Sequence, residues 1–136
     1  QSCSIIDPVF NIQKFSIFYE HVKPGAKSIG DIYKNIPVYL FTKPFMYMYE
    51  NKEILVPNYS KGDKFGLSTF AEGTGVKSSY MFALFSLKEE FIGTLGIEYC
   101  SRAKTLNENQ LEYIRDKSIT IGALLSTYLY KDIKHK

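Results

Sequence analysis

The sequence has few of the residues that build metal and redox sites. Among its 136 residues there are only two cysteines, Cys3 and Cys100, and neither has a His or Cys beside it at metal-ligand spacing. We therefore expect no metal site. Two cysteines carry no pairing pattern, so a disulfide in an oxidising compartment and two free thiols are both open, with free thiols favoured.

Arginine is also scarce. The net charge is +3, but only two of the 17 basic residues, Arg102 and Arg115, carry the guanidinium group that reads bases and phosphates. The lysines are scattered, without a basic run or an alternation of basic and aromatic residues. These features predict that the protein has no nucleic-acid partner.

Long apolar runs and catalytic motifs are missing as well. No stretch reaches the roughly 18 apolar residues of a membrane span, and no signal-peptide pattern is present, so we expect the chain as given to be soluble. It begins with Gln1 rather than Met, which suggests a piece of a longer protein whose missing segment could include an anchor. There is no Gly-x-Ser-x-Gly, no His-Glu-x-x-His and no phosphate-binding glycine loop, and we therefore expect no catalytic residues and no enzyme activity.

Aromatic residues, by contrast, are abundant. The chain is 45% hydrophobic and contains 11 Tyr and 10 Phe but no Trp. Its length fits one domain spanning residues 1–136, and many large rings need an interior of two or three layers. An α/β domain is the expected class.

Periodicity divides the first half of the chain into short elements. Alternation predicts a strand from Phe15 to Val22, with His21 on the same face as Ile17 and Tyr19. Capping residues and prolines predict further elements: a helix starting at Ser28, two helical pieces between Ile36 and Glu50, an extended Ile54–Val56, a helix from Asp63 to Glu72 and a hinge at Gly73–Gly75.

The second half carries stronger patterns. Segments from Tyr80 to Leu87 and from Phe91 to Tyr99 predict a β-hairpin at the centre of the sheet. Asn107 and Gln110 form a capping box for a long terminal helix. Its buried stripe is predicted to contain Leu111, Ile114, Ser118, Ile121, Leu125 and Tyr128, while Ile119, Leu124 and Leu129 lie partly off that stripe.

From Gly75 to Leu125 the sequence resembles the C-terminal half of a GAF domain. Gly75-Val76-Lys77-Ser78-Ser79 stands where that family has a Gly-Ile-Arg-Ser turn, and Phe91-Ile92-Gly93-Thr94-Leu95-Gly96-Ile97 is similar to its Ile-Gly-Val-Leu strand. The resemblance implies a central, mostly antiparallel sheet of five or six strands with helices on both faces. It also implies a pocket, which in various relatives holds cyclic nucleotides, amino acids, bilins or haem, and a role as a non-catalytic sensory or regulatory domain, cytoplasmic in that case.

A narrower similarity points elsewhere. The segment Gly93 to Tyr99, followed by Leu106 to Ile114 and Ile121-Gly122, resembles the end of the soluble domain of T-even-type phage holins. This alternative implies an extracytoplasmic interaction domain tethered to a membrane through a missing segment.

Five residues are candidates for contacting a small-molecule ligand of unknown identity. They are His21, Tyr47, Tyr80, Phe82 and Glu98. Three are aromatic rings, one is a histidine at a strand end and one is a carboxylate inside an apolar strand. Tyr59 could add a further ring to an aromatic pocket wall. The alternatives are a solvent-edge position for His21, ordinary core positions for the rings and a solvent-facing Glu98. A possible homodimer through the terminal helix is the second partner prediction, because apolar residues off the buried stripe would otherwise be exposed.

Overall fold

A computed structural model describes residues 14–15, 20–25, 28 and 36–134. The strands are β1 (Lys14–Phe15), β2 (Ile36–Pro37), β3 (Glu53–Val56), β4 (Ser78–Phe85) and β5 (Phe91–Tyr99). The α-helices are α1 (Thr42–Asn51), α2 (Ser68–Thr74) and α3 (Glu108–Lys134), with short 3-10 helices at Val38–Phe41 and Tyr59–Lys61.

The main sheet has three antiparallel strands in the order β3-β4-β5, and β1 and β2 form a separate antiparallel pair. The predicted mixture of helices with an antiparallel sheet is therefore confirmed. Five or six strands in one sheet were predicted, and the main sheet of the described residues contains three. In this sheet β4 is central, because it pairs with β3 on one side and with β5 on the other.

The two faces of β4 support different helices. Alternate side chains point to opposite faces of a strand. Tyr80 and Phe82 pack with Leu106 and Leu111, at the beginning of α3. Ala83 packs on the other face with Phe45 and Met48 of α1, in a cluster that also contains Ile54, Val56, Phe65, Leu67 and Phe91. The strand is buried on both sides, as its nearly continuous apolar sequence predicts.

The predicted β-hairpin is confirmed, since β4 and β5 pair along their length in antiparallel register. The turn at Lys88–Glu90 is closed by Ser86, whose backbone N–H donates to the Glu90 carbonyl and whose Oγ accepts from the Lys88 and Glu90 backbone N–H groups. One register shift interrupts the ladder between Leu84 and Phe85, opposite Gly93. Ile92 is the extra residue, so β5 has a β-bulge next to Gly93.

The capping box of α3 is also confirmed. Asn107 Oδ1 accepts from the backbone N–H of Gln110, and Gln110 Oε1 accepts from that of Asn107, both at 2.9 Å. Arg115 then joins this helix to β3, because its Nε and Nη2 donate to the two carboxylate oxygens of Glu53 at 2.7 and 2.8 Å. Hydrogen bonds to Glu53, Glu108 and Glu112 raise the pKa of Arg115.

The buried face of α3 differs in part from the predicted stripe. Leu111 and Ser118 are buried, but Tyr128 is 65% exposed. Ser126 is buried in its place, and its Oγ accepts from the Leu87 backbone N–H at 3.1 Å. At Gly122 an added Cβ would lie 2.5 Å from the Phe85 carbonyl oxygen, so the helix approaches β4 more closely there than any side chain would permit.

Several boundaries in the first half were predicted incorrectly. The two helical pieces predicted between Ile36 and Glu50 are confirmed as the 3-10 helix Val38–Phe41 and α1, but the break lies before Thr42. Pro44 is in the first turn of α1, where its missing N–H costs no hydrogen bond. Asp63 precedes α2 by five residues, and its carboxylate accepts from the backbone N–H groups of Phe65 and Leu67. Gly73 belongs to α2, and Gly75, with a φ of 76°, caps the C-terminal end of that helix. This segment is therefore a helix and its cap rather than a hinge.

The N-terminal predictions are tested only in part. Phe15 lies in β1, whereas Glu20 to Val22 have no regular secondary structure. Three predicted features lie outside the described residues: the strand at residues 16–19, the helix after Ser28, and Cys3. Cys100 carries a free, half-buried thiol. None of the helices in the described part of the chain is both long enough and apolar enough to cross a bilayer.

Candidate functional site

A small polar cluster lies on the face of the sheet that is turned away from α3. Ser79 of β4 and Glu98 of β5 are directly opposite each other in the strand register. Tyr59, in the short helix after β3, is held beside them because its backbone N–H donates to the Lys77 carbonyl at 3.0 Å. The cluster is defined by these three side chains, Tyr59, Ser79 and Glu98.

Within the part of the chain that the structure describes, each member of the cluster has a buried polar atom without a hydrogen-bond partner. These atoms are the Tyr59 hydroxyl oxygen, Ser79 Oγ and Glu98 Oε2. Ser79 is completely buried, and Tyr59 is partly buried against the apolar cluster of α1. An unpaired buried polar atom costs about 1 to 3 kcal/mol, so three in one place call for a functional or structural reason.

Burial dominates the electrostatics of the cluster. Desolvation, followed by the nearby Glu20 carboxylate, raises the pKa of Glu98 to about 7. Desolvation also raises the pKa of Tyr59 to about 12, and Glu98 and Asp63 reinforce the shift. The Ser79 hydroxyl opposes it, being close to the Tyr59 hydroxyl but outside the geometry of a hydrogen bond. The charged groups that act on the cluster are therefore acidic, and they disfavour a second negative charge there.

Gly96 provides the surface on which the Glu98 carboxylate lies. The two residues share one face of β5, and a Cβ added to Gly96 would be 2.9 Å from Glu98 Oε1. Gly96 itself is exposed, whereas Glu98 Oε2 is shielded from solvent. The missing side chain at position 96 thus leaves the space that the carboxylate occupies.

The structure divides the predicted ligand contacts between the two faces of the sheet. Tyr47 lies on the side of the polar cluster, where its ring meets Phe65 edge-on at a centroid distance of 4.7 Å. Tyr80 and Phe82 are buried on the opposite face, against α3, so the four rings do not form one wall. His21 is exposed, in keeping with the solvent-edge alternative.

Ser79 is the member of the cluster that was not predicted from the sequence. Residues 78 and 79 are both serine, and only the strand register decides which of them faces Glu98. Pairing the two hairpin strands residue by residue would have brought Ser79 and Glu98 together. The solvent-facing alternative for Glu98 is corrected, because one carboxylate oxygen is fully buried.

A concave feature lies near the same end of β5, on the face of the sheet that packs against α3. It is a shallow groove of about 410 Å³ between the end of that strand and the first turns of α3, lined by residues that include Tyr99, Leu106, Asn109, Gln110, Tyr113 and Ile114. Within the described residues no three His, Cys, Asp or Glu side chains come together as metal ligands.

No protein-family profile and no curated protein matches the chain. Solved structures do. The blue-light absorbing form of the Thermosynechococcus elongatus PixJ GAF domain superposes with a TM-score of 0.72 at 12% identity, over 97% of this chain and 79% of that one. GAF3 from Slr1393 of Synechocystis sp. PCC6803 gives 0.69 at 13% identity, over 88% of this chain and 78% of that one.

This chain has a GAF-like fold. A third neighbour, the phycocyanobilin-bound GAF domain of a cyanobacterial phytochrome, has a TM-score of 0.65 at 16% identity and covers 79% of this chain and 64% of its own. At such identities the likeness establishes the fold.

Proposed function

We propose that the protein is a GAF-like sensory or regulatory domain that binds a small molecule at the polar cluster of Tyr59, Ser79 and Glu98. The observation that carries the proposal is the set of three buried polar atoms without partners on one face of the sheet. A ligand that supplied the missing hydrogen bonds would recover the energy lost on burying them. Glu98 and Tyr47, both predicted from the sequence, belong to this side of the domain.

The residues around the cluster favour a ligand smaller than a bilin. Phe45, Met48 and Phe65 pack between α1 and the sheet and fill the space there. A tetrapyrrole on this face would have to displace them, at a cost of several kcal/mol. A compact polar molecule beside Glu98 would leave that packing intact.

Signal transmission follows from the position of β4. Ser79 faces the cluster, while its neighbours Ser78 and Tyr80 hold the segment leading into α3 through Lys104 and Leu106. A ligand that draws Ser79 toward it would shift β4, and with it the preferred position of the segment that leads into α3. The output of the proposed sensor is therefore a shift in the docking of α3.

The test is a thermal-shift panel of cyclic nucleotides and amino acids, with haem as a tetrapyrrole that should not bind and with Ser79→Ala and Tyr59→Phe as site variants. A ligand at 100 times its Kd should add about 2.7 kcal/mol to the free energy of unfolding of the wild type. The site variants should lose most of that gain. Tyr113→Phe, which removes an exposed hydroxyl on α3, is the control that should keep it. A panel without any stabilising compound would contradict the proposal.

Self-association is a second proposed function, supported by the exposed side of α3. Tyr113, Leu124 and Tyr128 are 65%, 66% and 65% exposed, and at 100° per residue they fall on one stripe of the helix. We propose that a second copy of the chain covers this stripe about a twofold axis, as in an isologous dimer. The holin-like alternative would use such a surface for protein interaction.

Sedimentation distinguishes this dimer from a monomer. The wild type should associate at high micromolar concentration, and Leu124→Glu combined with Tyr128→Glu should be monomeric. Ile119→Glu is the matched control, because Ile119 is 73% exposed but lies on another side of α3. A wild type that stays monomeric, or a control that dissociates equally, would contradict the dimer.

A further inference from the structure

The polar cluster also indicates which chemical class of ligand it would hold. Its unpartnered atoms come from three different elements: the short helix after β3, the central strand β4 and the strand β5. Two are hydroxyl oxygens, which accept or donate, and the third is a carboxylate oxygen, which accepts when ionised. An ammonium or amidinium group offers several N–H donors and no acceptor, and so complements this set.

Charge favours the same class. Among the described residues Glu98 forms no salt bridge, since the ion pairs there belong to Arg115. The groups that act on the cluster electrostatically are Glu20, from the segment before Pro24, and Asp63, from the loop before α2. An anionic ligand would meet repulsion from these carboxylates, whereas a cation would supply a counter-charge that no described residue gives Glu98.

We propose that the Tyr59, Ser79 and Glu98 cluster binds the protonated amino or amidino group of a small organic cation. The inference rests on the proposed function, in which this cluster is the ligand site. The Glu98 carboxylate accepts from the cation, and the Tyr59 and Ser79 hydroxyls accept from its remaining N–H donors. Gly96 leaves the space that the carboxylate occupies, since a Cβ added there would lie 2.9 Å from Glu98 Oε1.

Binding should then depend on pH. Burial and the Glu20 carboxylate raise the pKa of Glu98 to about 7, so the site is partly protonated at neutral pH. The other charged or titratable neighbours are Asp63 and Tyr59, whose pKa of about 12 keeps it neutral. A cation binds the ionised form of Glu98, and its affinity should rise as the pH increases through about 7.

The experiment compares three probes of matched shape by NMR titration: benzamidinium, benzamide and benzoate. Benzamidinium should shift the backbone amide signals of Ser79, Gly96 and Glu98, with an affinity about tenfold or more above that of benzamide or benzoate. Its affinity should increase from about pH 6 to about pH 8. Glu98→Gln should remove both the preference and the pH dependence, while Glu72→Gln, which neutralises an exposed carboxylate on α2, should change neither.

The outcomes separate this inference from the proposed function. If benzamide, benzoate or a panel compound without an ammonium or amidinium group binds at these residues as tightly as benzamidinium, the cation preference is wrong and the ligand site stands. The same holds if Glu98→Gln binds benzamidinium as well as the wild type does. If no compound of any charge perturbs these residues, both proposals fail.

Discussion

The two faces of β4 carry similar hydroxyl groups in opposite hydrogen-bonding states. On the α3 face, Ser78 Oγ donates to the Pro57 carbonyl at 2.7 Å and accepts from the Lys104 backbone N–H at 2.8 Å. The Tyr80 hydroxyl donates to the Lys104 carbonyl and accepts from the Leu106 backbone N–H at 3.1 Å. On the other face, the hydroxyls of Ser79 and Tyr59 have no partner.

This difference separates structural residues from candidate ligand contacts. A buried hydroxyl that both donates and accepts stabilises the fold, and replacing it leaves backbone groups unsatisfied. A buried hydroxyl without a partner contributes no hydrogen bond, and removing it exposes no other polar group. Each face contributes one serine and one tyrosine, so the hydrogen-bond partners make the distinction.

The largest effect is expected from breaking the α3 face at Gly122. Gly122→Ala places a Cβ 2.5 Å from the Phe85 carbonyl oxygen, which belongs to the backbone and cannot rotate away. Helix α3 must move from the sheet, and we expect a loss of about 2 to 3 kcal/mol in urea unfolding.

The matched control for Gly122→Ala is Gly73→Ala. Gly73 lies in α2, and a Cβ added there would have no atom within 4 Å. Alanine at this position should stabilise the protein by up to about 1 kcal/mol through helix propensity. Equal effects of the two substitutions would rule out close helix-to-sheet approach as the role of Gly122.

The next effect concerns the stability cost of Glu98 on the other face. Because folding raises its pKa from 4.5 to about 7, the unfolded chain ionises first, and the free energy of unfolding should fall as the pH rises through this window. Above about pH 7 both states are ionised and the full penalty remains, about 2 kcal/mol after allowance for partial exposure.

Glu98→Gln isolates this contribution from those of the other titrating groups. The difference in unfolding free energy between Glu98→Gln and the wild type should grow from about pH 4.5 to about pH 7 and then level off. It should be measured by urea unfolding at a series of pH values. A difference that does not vary with pH would show that Glu98 is well solvated.

The smallest effect comes from comparing two tyrosines that each lose a hydroxyl. Tyr80→Phe leaves the Lys104 carbonyl and the Leu106 N–H without their partner and should cost about 1 to 2 kcal/mol. Tyr59→Phe removes an atom that has no partner and should leave stability unchanged or slightly higher. Thermal unfolding of both variants tests the contrast, and equal losses would mean that the Tyr59 hydroxyl is bonded in solution.

The candidate site was predictable only in part. An ionisable residue inside an apolar strand is visible in the sequence, and Glu98 was predicted as a ligand contact on that basis. Tyr80 and Phe82 were grouped with Tyr47 because all three are aromatic. In the structure Tyr80 and Phe82 lie on one face of the sheet and Tyr47 lies on the other. Tyr59, Ser79 and Glu98 are far apart in the chain, and no local pattern shows that they meet.

The sequence by itself determined the elements that depend on short-range interactions. The capping box at Asn107 and Gln110, the hairpin from Ser78 to Tyr99 and the extended segment ending at Pro57 follow from hydrogen bonds and side-chain periods within a few residues. Only the tertiary structure decided that Glu98 is buried, that Ser79 lacks a partner and that Gly122 touches the backbone of β4. These properties depend on distances between separate elements, which are fixed when the helices pack on the sheet and exclude water from it.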